Sequence, residues 1–180
     1  MKNISLTITI SFAFLILTGC ANSNIQKEKP NILFCILDDA GMHMSAYGCN
    51  WADTPNFDRL ANNGLLFLNA YSPNGKCAPS RASVLTGRNP WQLEDAANHG
   101  GYFPAKFKTF PEVLRENGYF TAKTGKGWGP GKPEIVNGEN RLLVGKSWDD
   151  IKMKPWAKGM SGIDYASNFE VFLDSVKDDQ

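Results

Sequence analysis

The sequence predicts an α/β fold with a mostly parallel sheet flanked by helices. Three observations predict it: a continuous apolar run at residues 32–37, helix signals with recognisable caps, and a repeated order of helix then strand. The run is unbroken rather than alternating, which is typical of a strand buried on both faces. It ends abruptly at Asp38-Asp39.

Local signals place the remaining elements. Thr54-Pro55 reads as an N-cap and first helical residue, and Thr109 with Glu112 forms a capping-box pattern. In chain order we expect a helix at 54–64, a strand at 65–70, a short helix from near Pro79 to Gly87 with Ser83, Val84 and Leu85 inside, a helix at 109–118, a strand at 119–124, a surface excursion at 127–155 and a last helix capped by residues 161–164.

Length and charge limit the possible functions. The 180 residues are enough for one domain, and 42% of them are hydrophobic and 21% charged, as in globular proteins. The formal net charge is only +1 and the basic residues are scattered. This composition argues against nucleic acid as a partner and against a polybasic membrane surface.

The first thirty residues predict an export signal followed by a polar tether. Residues 1–20 combine a short basic start, an apolar run and Leu17-Thr18-Gly19-Cys20, which resembles a bacterial lipobox. We expect a lipoprotein signal peptide, lipidation of Cys20 and a membrane anchor through that lipid, with a plain signal peptide as the alternative. Residues 21–30 are polar and read as a tether. The expected location is the periplasm or outer membrane of a bacterium.

Two other cysteines have ordinary interpretations. Cys35 lies in the apolar run and is expected to be a small buried hydrophobe, while Cys49 follows Gly48 in a loop. The two could pair in an oxidising periplasm, but nothing in the sequence requires it.

The pair Asp38-Asp39 is a candidate metal site. Adjacent carboxylates at the end of a buried strand repel each other unless a cation lies between them. Ligand sites of open α/β sheets lie at the carboxyl ends of the strands, and hard oxygen donors suit Ca²⁺ or Mg²⁺. The alternative is a solvated acidic loop.

Cys77 is the candidate nucleophile. If a helix opens near Pro79, Cys77 lies at its N-terminal end, where backbone N–H groups favour an anion such as sulfate. Arg81 follows four residues later, on the same face, and its guanidinium suits an oxyanion. The alternative is a structural cysteine before a surface helix.

Four stretches in order resemble the formylglycine-dependent sulfatases of the alkaline phosphatase superfamily, and together they cover most of residues 31–126. They are Asp38-Asp39, the segment Thr54-Pro55-Asn56-Phe57-Asp58-Arg59-Leu60-Ala61 with Gly64, the signature Cys77-Ala78-Pro79-Ser80-Arg81 with Thr86-Gly87-Arg88, and Gly118-Tyr119 through Gly125-Lys126. The resemblance implies an alkaline-phosphatase-like fold, with residues 31–180 as the N-terminal part of the catalytic domain and the fold incomplete where the chain stops.

The resemblance also implies a mechanism. A maturation enzyme would oxidise Cys77 to formylglycine, whose hydrate attacks sulfur and later releases sulfate. Asp38, Asp39 and the modified residue 77 would bind Ca²⁺, with Mg²⁺ as the alternative. Arg81 would support the formylglycine, and Lys126 would neutralise charge on the sulfate.

The sequence departs from the family pattern after Lys126. Trp128 stands where a histidine that contacts the formylglycine is expected. His99 is a candidate replacement or substrate contact, with an ordinary surface histidine as the alternative, and Trp128 is a candidate sugar contact. The family's later metal and catalytic residues lie beyond residue 180, so we expect an incomplete metal site in these residues.

The expected substrate is a sulfated carbohydrate. The stretch Gly125 to Gly131, with Trp91 and His99 upstream, resembles bacterial relatives of the N-sulfoglucosamine sulfohydrolases, which suggests a sulfate ester or an N-sulfate. Two alternatives stay open: a phosphodiester or phosphonate hydrolase of the same superfamily, and a truncated, non-catalytic chain.

Overall fold

The computed structural model describes residues 29–176, so the predicted signal peptide, Cys20 and most of the predicted tether lie outside the described residues. The chain divides into two units at Ile36 and Leu37. All of the named elements described below belong to the second unit. None of the helices in the described range is both long and apolar enough to cross a membrane.

Four α-helices occur where the sequence predicts them. They are α1 (Pro55–Asn63), α2 (Cys77–Thr86), α3 (Phe110–Glu116) and α4 (Tyr165–Ser175). A short 3-10 turn at Ser45–Tyr47 precedes α1, and two more at Pro90–Gln92 and Glu94–Ala97 lie between α2 and α3.

The helix caps confirm the local signals. Thr109 accepts a hydrogen bond from the backbone N–H of Glu112, whose side chain in turn accepts from the N–H of Thr109 at 2.8 Å. Asp164 caps α4 by accepting from Ser167 N–H at 3.0 Å. Thr54 stands at the N-cap of α1 but makes no cap hydrogen bond there. These caps satisfy backbone donors that a helix leaves unpaired.

The described residues form three separate two-stranded pairs rather than one sheet flanked by helices. The strands are β1 (Tyr102–Phe103), β2 (Ala122–Lys123), β3 (Lys132–Pro133), β4 (Ile135–Val136), β5 (Glu139–Asn140) and β6 (Lys146–Ser147). The pairs β1–β3 and β2–β6 are parallel, and β4–β5 is an antiparallel hairpin. The expectation of parallel pairing is confirmed for two pairs, whereas the predicted strand at 119–124 is reduced to β2.

Two predicted strands do not form. Residues 32–37 and 65–70 have no strand assignment, and Leu33 and Leu65 are 68% and 86% exposed. Cys35 is also exposed, contrary to the expectation that it is buried. A run buried on both faces requires neighbouring strands and covering helices, and the described residues assemble no sheet of that size. Apolar composition alone therefore did not determine the structure of these runs.

The core lies between α2, the turn Glu94–Ala97 and β1. Its buried cluster is Ala82, Leu93, Ala96, Phe103, Phe107 and Leu143, with Trp128 and Val144 packed against it. Leu143 and Trp128 come from the segment predicted as a surface excursion, so that prediction is wrong for this part. Arg141, whose side chain is 7% exposed, also belongs to this segment and pairs with Glu112 of α3. Contacts between residues distant in sequence bring the segment inward.

Candidate active site

Helix α2 places Cys77 at its first position. Lys76 precedes it in extended backbone, and Gly87 ends the helix with φ of 66° and an N–H that donates to Ser83 O at 2.8 Å. A left-handed φ is strained for residues with a Cβ, which explains a glycine at this stop. Six residues of α2 are buried, including Ser83 and Leu85, whereas Val84 is 40% exposed and not on the inner side as predicted.

Arg81 ties this helix to two other parts of the chain. Its side chain is only 7% exposed. Nη1 donates to Lys126 O at 2.8 Å and to Gly127 O at 3.2 Å, and Nη2 lies 3.5 Å from Asp38 Oδ1. A buried guanidinium is tolerated when its donors are matched to acceptors, as they are here. Arg81 therefore fixes both the loop at Lys126 and the carboxylate of Asp38 against α2.

Lys126 and Asp38 form an ion pair beside Cys77. Lys126 Nζ lies 2.7 Å from Asp38 Oδ2, and the two side chains are 38% and 44% exposed. The hydrogen bond to Asp38 raises the pKa of Lys126 against the opposing effect of burial, and the Cys77 thiol is near enough to contribute to the same shift. The bond from Lys126, with added charge from Arg81, lowers the pKa of Asp38. Both groups are thus ionised at neutral pH.

The Cys77 thiol lies between these charges and a backbone carbonyl. Its Sγ is 3.9 Å from Gly129 O, and the residue is half-buried. Cys77, Arg81, Lys126 and Asp38 were singled out from separate parts of the sequence, and the structure brings them together. The site combines a potential nucleophile with two cations, which suits a substrate bearing a tetrahedral anion.

Asp39 adds a second carboxylate next to Asp38. It is exposed and adopts a left-handed backbone with φ of 56°. Carboxylate oxygens are donors of the kind that Ca²⁺ and Mg²⁺ take, so the donor chemistry fits a hard cation. Ca²⁺ takes about six to eight oxygens, however, and within residues 29–176 no group of three or more His, Cys, Asp or Glu is placed to hold a metal. Asp38 and Asp39 fit as part of a ligand set.

Trp128 and His99 lie on adjoining loops. Trp128 Nε1 donates to Ala78 O at 3.1 Å, and its ring packs edge-on against Phe103 with centroids 5.0 Å apart. His99 is exposed, and the next residue, Gly100, donates its N–H to Pro130 O at 2.9 Å. The structure thus brings the His99 loop alongside the loop that contacts Cys77. His43, the other histidine, packs against Trp51 with ring centroids 5.2 Å apart.

Asp149 is a supporting residue that the sequence did not reveal. It accepts a hydrogen bond from the N–H of Gly125, the residue before Lys126, and from Ser147, and it pairs with Lys123 at 3.4 Å. Burial opposes its ionisation, but these bonds and the Lys123 charge give a net lowering of its pKa. Asp149 braces the backbone of the Lys126 loop from 24 residues away. No motif marks it, because its partners are assembled only by the fold.

The chain is similar in sequence to known proteins of one family. The sulfatase family pattern matches residues 30–134. The chain is 40% identical over 128 residues to N-acetylglucosamine-6-O-sulfatase of Bacteroides thetaiotaomicron, covering 70% of this chain and 23% of that enzyme. It is 36% identical over 152 residues to N-acetylgalactosamine-6-O-sulfatase of the same bacterium, covering 77% of this chain and 30% of that enzyme.

A human enzyme is similar to this chain to about the same degree. The chain is 36% identical over 128 residues to iduronate 2-sulfatase of Homo sapiens, covering 70% of this chain and 23% of that enzyme. The chain therefore spans less than a third of the length of these relatives. No solved structure matches it.

Proposed function

Because this chain belongs to the sulfatase family, we propose that it acts as a sulfuric ester hydrolase on a sulfated carbohydrate, with Cys77 as the precursor of the nucleophile. The observation that carries the proposal is the position of Cys77 at the start of α2, beside the Lys126 ammonium and one turn from the buried Arg81. Family membership supports the reaction class, and this local arrangement supports the assignment of residues.

The charges around Cys77 fit the binding of a sulfate group. Free backbone N–H groups at the start of a helix favour an anion, and Lys126 adds a full positive charge at the same place. Lys126 binds and neutralises the sulfate oxygens. Arg81 is held by the carbonyls of Lys126 and Gly127, so it orients residue 77 and the lysine as a fixed unit.

We propose that the active form carries formylglycine at position 77, made from Cys77 by a formylglycine-generating maturation enzyme. When hydrated, this group supplies two hydroxyls on one carbon, one a nucleophile toward sulfur and the other a means of releasing sulfate. The role of this chain's residues is to position that carbon. The Cys77 side chain is half-buried, and its Sγ lies 3.9 Å from Gly129 O on the loop that carries Lys126.

We propose Asp38 and Asp39, together with residue 77, as ligands of a divalent cation, Ca²⁺ with Mg²⁺ as the alternative. Hard carboxylate oxygens beside the nucleophile support this assignment. The cation would supply positive charge to activate the nucleophile and to bind sulfate oxygens. Lys126 and Arg81 bind the Asp38 carboxylate, which keeps that side chain directed toward the site.

The substrate proposal rests on the relatives and on the loop sequence. The relatives named above are sulfatases, two of them named for 6-O-sulfated amino sugars. The stretch Gly125 to Gly131 adds an N-sulfated glucosamine as a candidate. His99 is exposed on a loop that adjoins the site and is proposed as a substrate contact. A lipid anchor at Cys20, at the bacterial periplasm or outer membrane, would place this activity where polymeric sulfated glycans are degraded.

Mass spectrometry tests the central assignment. Trypsin cuts after Lys76 and after Arg81, so it releases residue 77 in the five-residue peptide Cys77–Arg81. The protein co-expressed with a formylglycine-generating enzyme should show the aldehyde in that peptide, and Cys49→Ala should show it too. Finding only the thiol would refute the assignment of the nucleophile.

A substrate panel then tests the reaction class. The matured whole protein should hydrolyse sulfated amino sugars and lose this activity in Cys77→Ala, while Cys49→Ala keeps it. Hydrolysis of phosphate diesters without any sulfate release would contradict the proposed function.

A further inference from the structure

Four consecutive residues, Lys126 to Gly129, contact the N-terminal part of α2. The carbonyls of Lys126 and Gly127 accept hydrogen bonds from Arg81, the indole N–H of Trp128 donates to Ala78 O at 3.1 Å, and Gly129 O faces Cys77 Sγ at 3.9 Å. The contacts thus run in both directions between loop and helix. They place the loop against the residue proposed as nucleophile and against its immediate neighbour.

The ring of Trp128 packs against Phe103 and against the backbone at Gly131. Phe103 is fully buried and meets the indole edge-on at 5.0 Å. A Cβ added at Gly131 would come within 2.3 Å of the indole, so the backbone there lies directly against the ring. A ring enclosed on two sides has little rotameric freedom, and the direction of its N–H is therefore set by the core.

The acceptor is significant because of its place in the helix. Ala78 is itself completely buried and directly follows Cys77. A hydrogen bond to its carbonyl resists rotation of the first helical turn about the helix axis. Such a rotation would carry residue 77 away from Lys126 and Gly129 O. A displacement of about 1 Å at a reacting atom can lower a rate by about 100-fold, so this restraint bears on catalysis.

We propose that Trp128 is a positioning residue, whose core-anchored indole N–H holds the first turn of α2 so that residue 77 faces Lys126. The part of this inference that concerns turnover rests on the proposed function. The role differs from the sugar contact expected from the sequence, which stays a prediction. The resemblance places a histidine that contacts the formylglycine where this chain has Trp128. In our proposal Trp128 instead donates a hydrogen bond to the backbone carbonyl of Ala78.

The first test needs no enzymatic activity. In the unmatured chain, Trp128→Phe keeps an aromatic ring against Phe103 but removes the N–H. We expect the alkylation rate of Cys77 by iodoacetamide, followed in the Cys77–Arg81 peptide, to rise about threefold or more, because the half-buried thiol gains freedom. Trp91→Phe is the matched control, since Trp91 is 80% exposed and has the same change of side chain.

The second test uses the matured whole protein and a sulfated monosaccharide. Trp128→Phe should lower kcat about five- to tenfold with KM unchanged, the expected scale for one neutral hydrogen bond that aligns a reacting group. Trp91→Phe should leave both constants as they are. A purely structural role for Trp128 would lower the unfolding temperature while kcat per folded molecule stayed constant.

The outcomes separate the two proposals. If Trp128→Phe and Trp91→Phe behave alike in both tests, the positioning role is overturned. If the wild-type protein with formylglycine verified at position 77 releases no sulfate, the proposed function fails, and the alkylation rates alone decide the positioning role. If Trp128→Phe fails to fold, Trp128→Leu, which also removes the N–H donor while keeping an apolar side chain, is put through the same alkylation test against Trp91→Leu.

Discussion

Helices α1 and α2 have nine and ten residues, yet they are held in place by different means. None of the residues of α1 is buried, and Leu60 is 69% exposed. Asp58 accepts from Ser45 Oγ at 2.7 Å and from Ala46 N–H at 2.9 Å, and the half-buried Phe57 meets the ring of Tyr47 with centroids 5.8 Å apart. In α2 six residues are buried, and the fully buried Ala82 belongs to the core.

The amphipathic pattern would suggest that α1 is the more deeply buried helix, but α2 is. The apolar residues of α1 follow a clearer helical stripe than those of α2, whose buried face is built from Ala, Pro, Ser, Leu and one Arg. Small side chains allow close approach of neighbouring backbone, which is what a helix presenting a reactive residue requires. The comparison teaches that pattern predicts where a helix forms but not how deeply it packs. Four sets of substitutions test it.

The largest effect is expected for Arg81→Ala in α2. It removes a buried guanidinium from two carbonyls and from Asp38, so we expect a loss of about 3–5 kcal/mol in the free energy of unfolding and a fall in kcat of about 100-fold or more. Arg59→Ala in α1 is the matched control, because Arg59 is exposed and should change stability by less than about 0.5 kcal/mol. Urea unfolding of this chain measures the loss of stability in both variants, and equal losses would contradict the comparison.

Next in size is a pair of leucine truncations. Leu85 in α2 is 6% exposed, and Leu85→Ala should cost about 2–4 kcal/mol through lost burial and a residual cavity. Leu60→Ala in α1 should cost less than about 0.5 kcal/mol, since the side chain already contacts solvent. The same urea experiment on this chain compares them. A larger loss for Leu60→Ala would show that α1 is packed after all.

A smaller effect is expected where α1 is attached. Asp58→Ala leaves the N–H of Ala46 and the hydroxyl of Ser45 without this acceptor, which should cost about 1–2 kcal/mol. The consequence should be local: amide hydrogens of residues 56–63 in α1 exchange faster, while those of α2 do not change. Asp53→Ala, at an exposed position just before α1, is the control. Faster exchange in both helices would mean that they are not independent.

The smallest effect concerns the ion pair beside α2. The pKa of Asp38 is lowered from 3.8, so its contribution is present above that value and is lost as pH falls below it. The pKa of Lys126 is raised from 10.5, so its contribution is present below that value and is lost as pH rises above it. Both side chains are more than a third exposed, so Lys126→Met should cost under about 1 kcal/mol at neutral pH. Stability profiles of the two proteins that differ most at neutral pH and converge at both extremes would agree with this sign.

The helices could be predicted because their signals are local. Thr109 and Glu112 are three residues apart, and Gly87 ends α2 by its own backbone preference. Of the strands, only β2 falls within a predicted strand segment, because an apolar run such as 32–37 becomes a strand only with partners from elsewhere in the chain. The packed face of α2 was also misjudged: Val84 is exposed, whereas the charged Arg81 is buried. Burial of Arg81 depends on carbonyls some 45 residues away.

The candidate site was predictable in its members and not in its connections. Cys77, Arg81, Lys126 and Asp38 were found through motif resemblance, and the structure links Arg81, Lys126 and Asp38 to one another and places Lys126 beside the Cys77 thiol. The bond from Trp128 to Ala78 O joins residues 50 apart and leaves no pattern in the sequence. The predicted metal and substrate roles stay predictions.

Gly125, which stands directly before Lys126, has a consequence for how this protein can vary. It has φ of 73°, and a Cβ added there would lie 2.6 Å from the hydroxyl of Tyr165, the first residue of α4. Shortening residue 165 would relieve the crowding but not the backbone strain, so no single compensating change opens position 125 to other residues. Tyr165 of α4 therefore helps to restrict the residue directly before Lys126 to glycine. A helix that is distant in sequence thus limits which residues the loop of the candidate active site can carry.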